Sequence, residues 1–359
     1  MEVAKAIKKE RKSNLELYRI IVMLLIVAHH YVVNSGLWQV LEENELNSTS
    51  YFLYFFGMWG KTGIDCFVLI TGYFMCKSVA TVHKFLKLLL EVVFYKVSIY
   101  LVFLFAGIVQ FDIITCFWMF LPISNVGDGF MTGFLLFYLF IPFLNRLILN
   151  MDRRMHLKLI LLSLFIYTIW DTVPTINVTF NYVTWFIILY FISSFIRLYP
   201  VKKFDQNIRF WGIMTLALIA LAMTSVYVLV KISWQNPYFL VSDSNALFAI
   251  AVAISSFMFF KNLIIKPSRL INTIAASMLG VLLIHAHSDA MRQWLWVDIL
   301  ENAHYYSTPY CVAHAILSVV AIFIICVVID HYRIQWIEKP LLNSRVYQKL
   351  VGKIEYIIK

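Results

Sequence analysis

Arg19 and His30 are the first residues in the chain whose types and spacing could do chemistry. They sit on one apolar run, Leu17-Tyr-Arg-Ile-Ile-Val-Met-Leu-Leu-Ile-Val-Ala-His-His-Tyr31. On an α-helix, eleven residues make about three turns, so the two side chains share nearly one face, about 16 Å apart along the axis. A neutral imidazole can take a proton from a hydroxyl and hand it to a leaving group. An ionisable group deep in an apolar segment is expensive, which points to a function and a partner. The alternative for His30 is a packing histidine bonded to a neighbouring helix. His29 points about 100° away from His30, so the two do not share one role. Glu16, three residues before Arg19, is spaced to pair with it, and an interfacial ion pair explains that spacing as well.

Further groups recur along the chain. Lys61 and Asp65 are four apart in Lys61-Thr-Gly-Ile-Asp65 and are expected to compensate each other. Gly57, Gly60, Gly63 and Gly72 let a helix or a ligand approach closely, and packing accounts for them. His83, Lys84 and Lys87 could hold phosphate, although inward-facing positive charge explains them equally. His285 and His287 lie about 200° apart if helical, and with no third ligand nearby a zinc site is not expected. Arg292, Trp294 and Trp296 follow them. In Trp336-Ile-Glu-Lys-Pro340 the proline puts Glu338 near a helix end or break, where its acid is structural or orients a cationic group. The five cysteines lie in or beside apolar segments and read as small buried hydrophobes; no disulfide is expected.

The elements that must carry these residues are membrane helices. Hydrophobic residues make up 61% of the 359 and charged residues 14%, with mean hydropathy +0.78. One soluble core cannot hide that much apolar surface, and the long apolar runs favour helices over a barrel. The expected fold is an all-α polytopic bundle of about ten spans. They run roughly over Leu17–Val33, Tyr51–Met75, Phe85–Val109, Phe130–Leu149, Leu157–Val173, Tyr182–Leu198, Phe210–Val230, Leu247–Ile265, Leu270–His287 and Tyr310–Ile329. With the N-terminus in the cytoplasm, the 30 lysines and arginines fall in alternate, inward segments, Lys5, Lys8, Lys9, Arg11 and Lys359 included; the exceptions are Lys61, Lys96, Lys231 and Arg292. Both termini are then cytoplasmic. The net charge of +10 is therefore a targeting signal and not a nucleic-acid footprint. Outer segments carry acids, Asp128 among them, and Trp118, Trp170, Trp185, Trp234, Trp294 and Trp296. An aromatic belt explains the tryptophans; a platform for stacking sugar rings is the sharper reading. The first run resembles a signal peptide ending at Val33-Asn34-Ser35, but its length and its charged residues favour a retained span. No repeat or soluble domain is visible. The chain reads as one domain over 1–359, with a basic cytoplasmic segment at 1–16 and a cytoplasmic tail at 337–359.

These features together resemble the acyltransferase-3 family of integral membrane O-acyltransferases. Arg19 through His30 is similar to the family's arginine, ten residues, histidine motif. Phe67 to Phe74 is similar to its Phe-x-Ile-Ser-Gly-Phe/Tyr-Phe segment, with Thr71 in place of serine. Tyr138 to Asn145, Trp185 to Tyr199, Leu279 to His285 and Ile337 to Pro340 also look like family blocks. The resemblance implies transfer of an acyl group, usually acetyl, from cytoplasmic acyl-CoA to a hydroxyl on a surface or lipid-linked glycan. It implies His30 as the catalytic histidine and Arg19 as the motif arginine. From their positions along the chain, the donor is expected by Arg19, Lys84, Lys87 and Glu338, and the acceptor by Lys61, Asp65, His285, Arg292 and Trp294. Lys84 and Lys87 stand where some members carry an arginine pair, and lysine lacks the bidentate fork. Beyond the donor no metal or other cofactor is implied. The partners are the bilayer of a bacterial plasma membrane, acyl-CoA and the glycan, with no nucleic acid; a homodimer is compatible. A proton-coupled transporter or flippase for a sugar or lipid is the competing class, and a non-catalytic scaffold a third.

Overall fold

A computed structural model of the chain describes residues 12–123, 129–173, 175–176, 178–286 and 288–358. Lys5, Lys8, Lys9, Arg11, Asp128, His287 and Lys359 lie outside the described residues. The described fold is all-helical. The helices are α1 Ser13–Val33, α2 Leu37–Glu43, α3 Ser48–Gly57, α4 Gly60–Met75, α5 Val82–Phe105, α6 Ile113–Phe120, α7 Phe130–Leu149, α8 Arg153–Leu164 and α9 Tyr182–Leu198. The second half continues with α10 Lys202–Asp205, α11 Ile208–Lys231, α12 Leu247–Asn262, α13 Arg269–Ala275, α14 Met278–His285, α15 Asp289–Arg292, α16 Cys311–Arg333, α17 Lys339–Asn343 and α18 Arg345–Ile358.

Among the described residues, seven helices are long and apolar enough to cross a membrane, or eight if the bent pair Arg269–His285 plus Asp289–Ser307 is one span. The sequence suggested about ten. The difference lies in α9 and α12, which are apolar but only 17 and 16 residues long. At 1.5 Å per residue each spans about 25 Å, short of a hydrocarbon core of about 30 Å.

Three expected spans differ in form. Tyr51–Met75 is two helices, α3 and α4, which part at Met58 and Trp59. The described part of the span expected over Leu270–His287 is two short helices, α13 and α14, and the pair Arg269–His285 and Asp289–Ser307 is bent by 94°. The last span continues beyond Ile329 through a π-helical turn, Ile334–Glu338, into α17. Glu338 therefore closes the π-helical turn two residues before Pro340, and the helix runs on through the proline to Asn343, where the sequence suggested an end or break. The expected tail is also helical: α18 buries Tyr347 and Val351 and exposes Val346, Leu350, Tyr356 and Ile357.

α1 runs through the middle, packed against α3, α4, α12, α13, α14 and α16. Its closest neighbour relation, with α4, depends on missing side chains. A Cβ at Gly60 would run into the ring of His29, and one at Gly63 would meet Ile26 Cγ1 at 2.7 Å. Small residues on one face let two helix backbones come this close.

A buried ionic knot fixes the end where α16 leaves the bundle. The Arg333 guanidinium donates from Nε to Asp330 Oδ1 at 2.7 Å, from one terminal nitrogen to Glu338 Oε2 at 2.9 Å and from the other to Glu91 Oε1 at 3.0 Å. Tyr95 Oη donates to Asp330 Oδ1 at 2.7 Å, and Lys87 Nζ reaches Glu338 Oε1 at 2.7 Å. The knot ties α5 to α16 and to the π-helical turn. It also explains Gly280 on α14, where a Cβ would collide with the Asp330 carboxylate.

Candidate active site

α1 delivers Arg19, His29 and His30 to one cavity of about 600 Å³, a volume within the usual range for small-molecule sites. α4 contributes Lys61 and Thr71, and the end of α15 contributes Arg292. The cavity thus runs the length between Arg19 and His30, about 16 Å along the helix. Four cations line it (Arg19, Lys61, Lys96 and Arg292), and no aspartate or glutamate is among the described lining residues.

The geometry at His30 is specific. His285 Nδ1 lies 2.6 Å from the carbonyl oxygen of Val281, one turn back on α14. A carbonyl only accepts, so Nδ1 of His285 carries the proton. In the neutral ring the other nitrogen, Nε2, is then an acceptor. It stands 2.9 Å from Nδ1 of His30, which therefore donates to it. This leaves Nε2 of His30 with its lone pair, and among the described residues that atom has no hydrogen-bond partner. His285 is fully buried, wedged edge-on to Trp296 at 6.2 Å, while His30 is half-buried on the cavity wall. One histidine orients the other, and the second presents a bare nitrogen to the cavity.

His29 also lines the cavity, but its Nδ1 is held 2.5 Å from the Gly57 carbonyl. It is spoken for by the α1–α3 packing, which fits the different role its angle suggested.

The remaining expected residues divide into two groups. Arg19 lines the cavity and pairs with Glu16 at 3.1 Å, as their spacing suggested. Lys61 lines it too, but it does not pair with Asp65. Its Nζ donates to Tyr182 Oη at 2.9 Å, whereas Asp65, fully buried, accepts from Trp185 Nε1 at 2.8 Å. Each found a better-placed partner on α9 than its helical neighbour. Arg292 lines the cavity and pairs with the exposed Asp289 at 2.9 Å. Trp294 packs its ring on Phe103 at 5.5 Å, outside this cavity. Lys84, Lys87 and Glu338 are not brought to the cavity. Lys84 is exposed and donates to Ser78 Oγ and the Val79 carbonyl, and Lys87 and Glu338 are held in the Arg333 knot. No group of three or more His, Cys, Asp or Glu among the described residues is arranged to hold a metal. The described cysteines are unpaired, and Cys116 is the one that is not buried.

Sequence reasoning passed over Lys96 and Tyr182 as lining residues, and the acids of the knot, Glu91 and Asp330. Lys96, Glu91 and Asp330 had a signal, since each is an ionisable residue inside an apolar run. Tyr182 had none.

A helical membrane protein with a cation-lined cavity around an oriented histidine is the class that fold and site define. A family model described as an acyltransferase domain matches residues 12–331, and the chain belongs to the acyltransferase-3 family. It is a membrane acyltransferase. No curated protein and no solved structure matches the chain.

Proposed function

We propose that this protein moves an acyl group, acetyl by the resemblance, from cytoplasmic acyl-CoA to a hydroxyl of an extracytoplasmic or lipid-linked glycan, with His30 as general base. The observation that carries the proposal is the His285–His30 pair, which leaves the Nε2 lone pair of His30 on the wall of a 600 Å³ cavity.

In this scheme both termini are cytoplasmic and the membrane is a bacterial plasma membrane. The donor's phosphates remain at the Arg19 end and its thioester reaches the His30 end. Nε2 of His30 takes the proton of the acceptor hydroxyl as its oxygen attacks the thioester carbonyl. The tetrahedral oxyanion is stabilised by cations on the wall, where Lys61 and Arg292 line the cavity together with His30. The carbon–sulfur bond then breaks, and the imidazolium returns the proton to the departing CoA thiolate. The products are an ester and free CoA. His285 acts as a positioning residue, holding the imidazole in the tautomer that leaves Nε2 bare.

Family membership weighs against the transporter reading. The bent helix pair, which such a reading could use, here brings His285 to His30.

The test is thioester consumption in membranes that contain the protein, with and without added glycan. Glycan-dependent release of CoA thiol, abolished in His30→Ala with membrane insertion intact, is expected. Turnover by His30→Ala near the unsubstituted rate would overturn the assignment.

A further inference from the structure

A second cavity, of about 380 Å³, adjoins the first. Its wall includes Tyr100, Gln110, Thr115, Trp118 and Ser288. The two cavities share Lys96. They also meet across one short segment: Arg292 lines the inner cavity, and its Nε donates to the carbonyl of Ser288, which lines the outer one.

Lys96 is the unusual residue. It lies 14 positions into α5, about 21 Å from the helix start, and it lines the same cavity as His30. Each of the other cations on the inner wall has a partner: Arg19 with Glu16, Lys61 with Tyr182 and Arg292 with Asp289. Lys96 is half-buried, and among the described residues its ammonium has no hydrogen-bond or ion-pair partner. A lysine left unpaired inside an apolar span is costly unless something else compensates it. The described walls of both cavities lack a carboxylate that could do so. An anion carried by a ligand would compensate it.

The outer cavity also has the features of a saccharide site. Tyr100 and Trp118 offer aromatic faces, suited to the C–H face of a pyranose, and Gln110, Thr115 and Ser288 offer hydrogen-bonding groups beside them. Its rim is formed by α6, whose Ile113, Ile114, Phe117 and Phe120 are exposed and apolar. Asp112 caps that helix by accepting from the Thr115 amide at 2.7 Å, and the Thr115 bonds hold its carboxyl below the ordinary range.

We propose that the outer cavity is the acceptor's antechamber, and that it selects an acidic sugar: the ring stacks against Trp118 and Tyr100 while a carboxylate or phosphate on the sugar pairs with Lys96. This deepens the acyl-transfer reading and rests on it, because the bound sugar then stands next to His30's cavity with a hydroxyl to acylate.

Binding of three probes to the purified full chain tests it: p-nitrophenyl β-glucuronide, the matching β-glucoside, and the β-glucoside 6-phosphate. At least one acidic probe is expected to bind about tenfold tighter than the neutral one, the weight of one charged hydrogen bond. The better of the two names the anion. Lys96→Gln should erase the preference, and Trp118→Ala should weaken all probes while keeping it. Equal binding of acidic and neutral probes, a preference that survives Lys96→Gln, or no binding at all would overturn the proposal. Glycan-dependent thioester consumption is measured on the same preparations. Its absence would sink acyl transfer, while the binding ratio judges the antechamber separately.

Discussion

Replacing His285 by phenylalanine keeps a ring in a fully buried slot beside Trp296 and removes both the nitrogen that accepts from His30 and the N–H that donates to the Val281 carbonyl. The Nδ1–H of His30 then has no acceptor, and nothing fixes which ring nitrogen carries the proton. An unsatisfied polar group of this kind costs about 1–3 kcal/mol, or roughly 5- to 150-fold in rate if the whole penalty falls on the chemical step. His30→Ala should cost more, because general-base catalysis contributes about 10²- to 10⁴-fold. The assay is kcat and KM for CoA-thiol release at saturating acceptor. His285→Phe should lower kcat within that window and leave the donor KM unchanged. His285→Gln, whose amide oxygen can accept, should recover part of the loss. A His285→Phe protein with undiminished kcat would refute the claim that one histidine positions the other. So would a glutamine variant no better than phenylalanine in a correctly inserted protein.

Other expectations follow from particular contacts. Arg333→Met leaves Glu91, Asp330 and Glu338 buried without their shared cation and should destabilise the fold by about 3–5 kcal/mol, read as a lower Tm in detergent. Gly60→Ala drives a Cβ into the His29 ring and should cost about 1–3 kcal/mol, with lost activity, measured by the same melt and by CoA release. Lys84→Gln touches only an exposed side chain, so its effect on stability should stay within about 0.5 kcal/mol, and the donor KM should not change. Arg19→Gln, by contrast, removes a cavity-lining cation and should raise the donor KM.

What the sequence disclosed follows the range of each signal. The shared face of Arg19 and His30 depends only on helical spacing, and both do line one cavity. The Glu16–Arg19 pair is equally local and forms. The same local rule failed for Lys61 and Asp65, because Tyr182 and Trp185 on α9 were nearer partners than one helix could reveal. His285 stands 255 residues from His30, after a broken helix, so its pairing could not be read from spacing. Lys87 and Glu338 were placed with the donor on charge alone, whereas Arg333 gathers them into a knot that needed the packing of α5 on the end of α16 to be seen. α6 and α18, too short or too charged to register as spans, carry the outer rim and the C-terminal amphipathic surface.

The central claim is that the imidazole of residue 30 is the general base for acyl transfer to a glycan. Mass spectrometry of surface glycans from cells carrying the unsubstituted protein, the His30→Ala variant, or neither addresses it directly. Glycan heavier by one acyl group only where His30 is present is the expected result. The same mass gain in the His30→Ala cells would contradict the account.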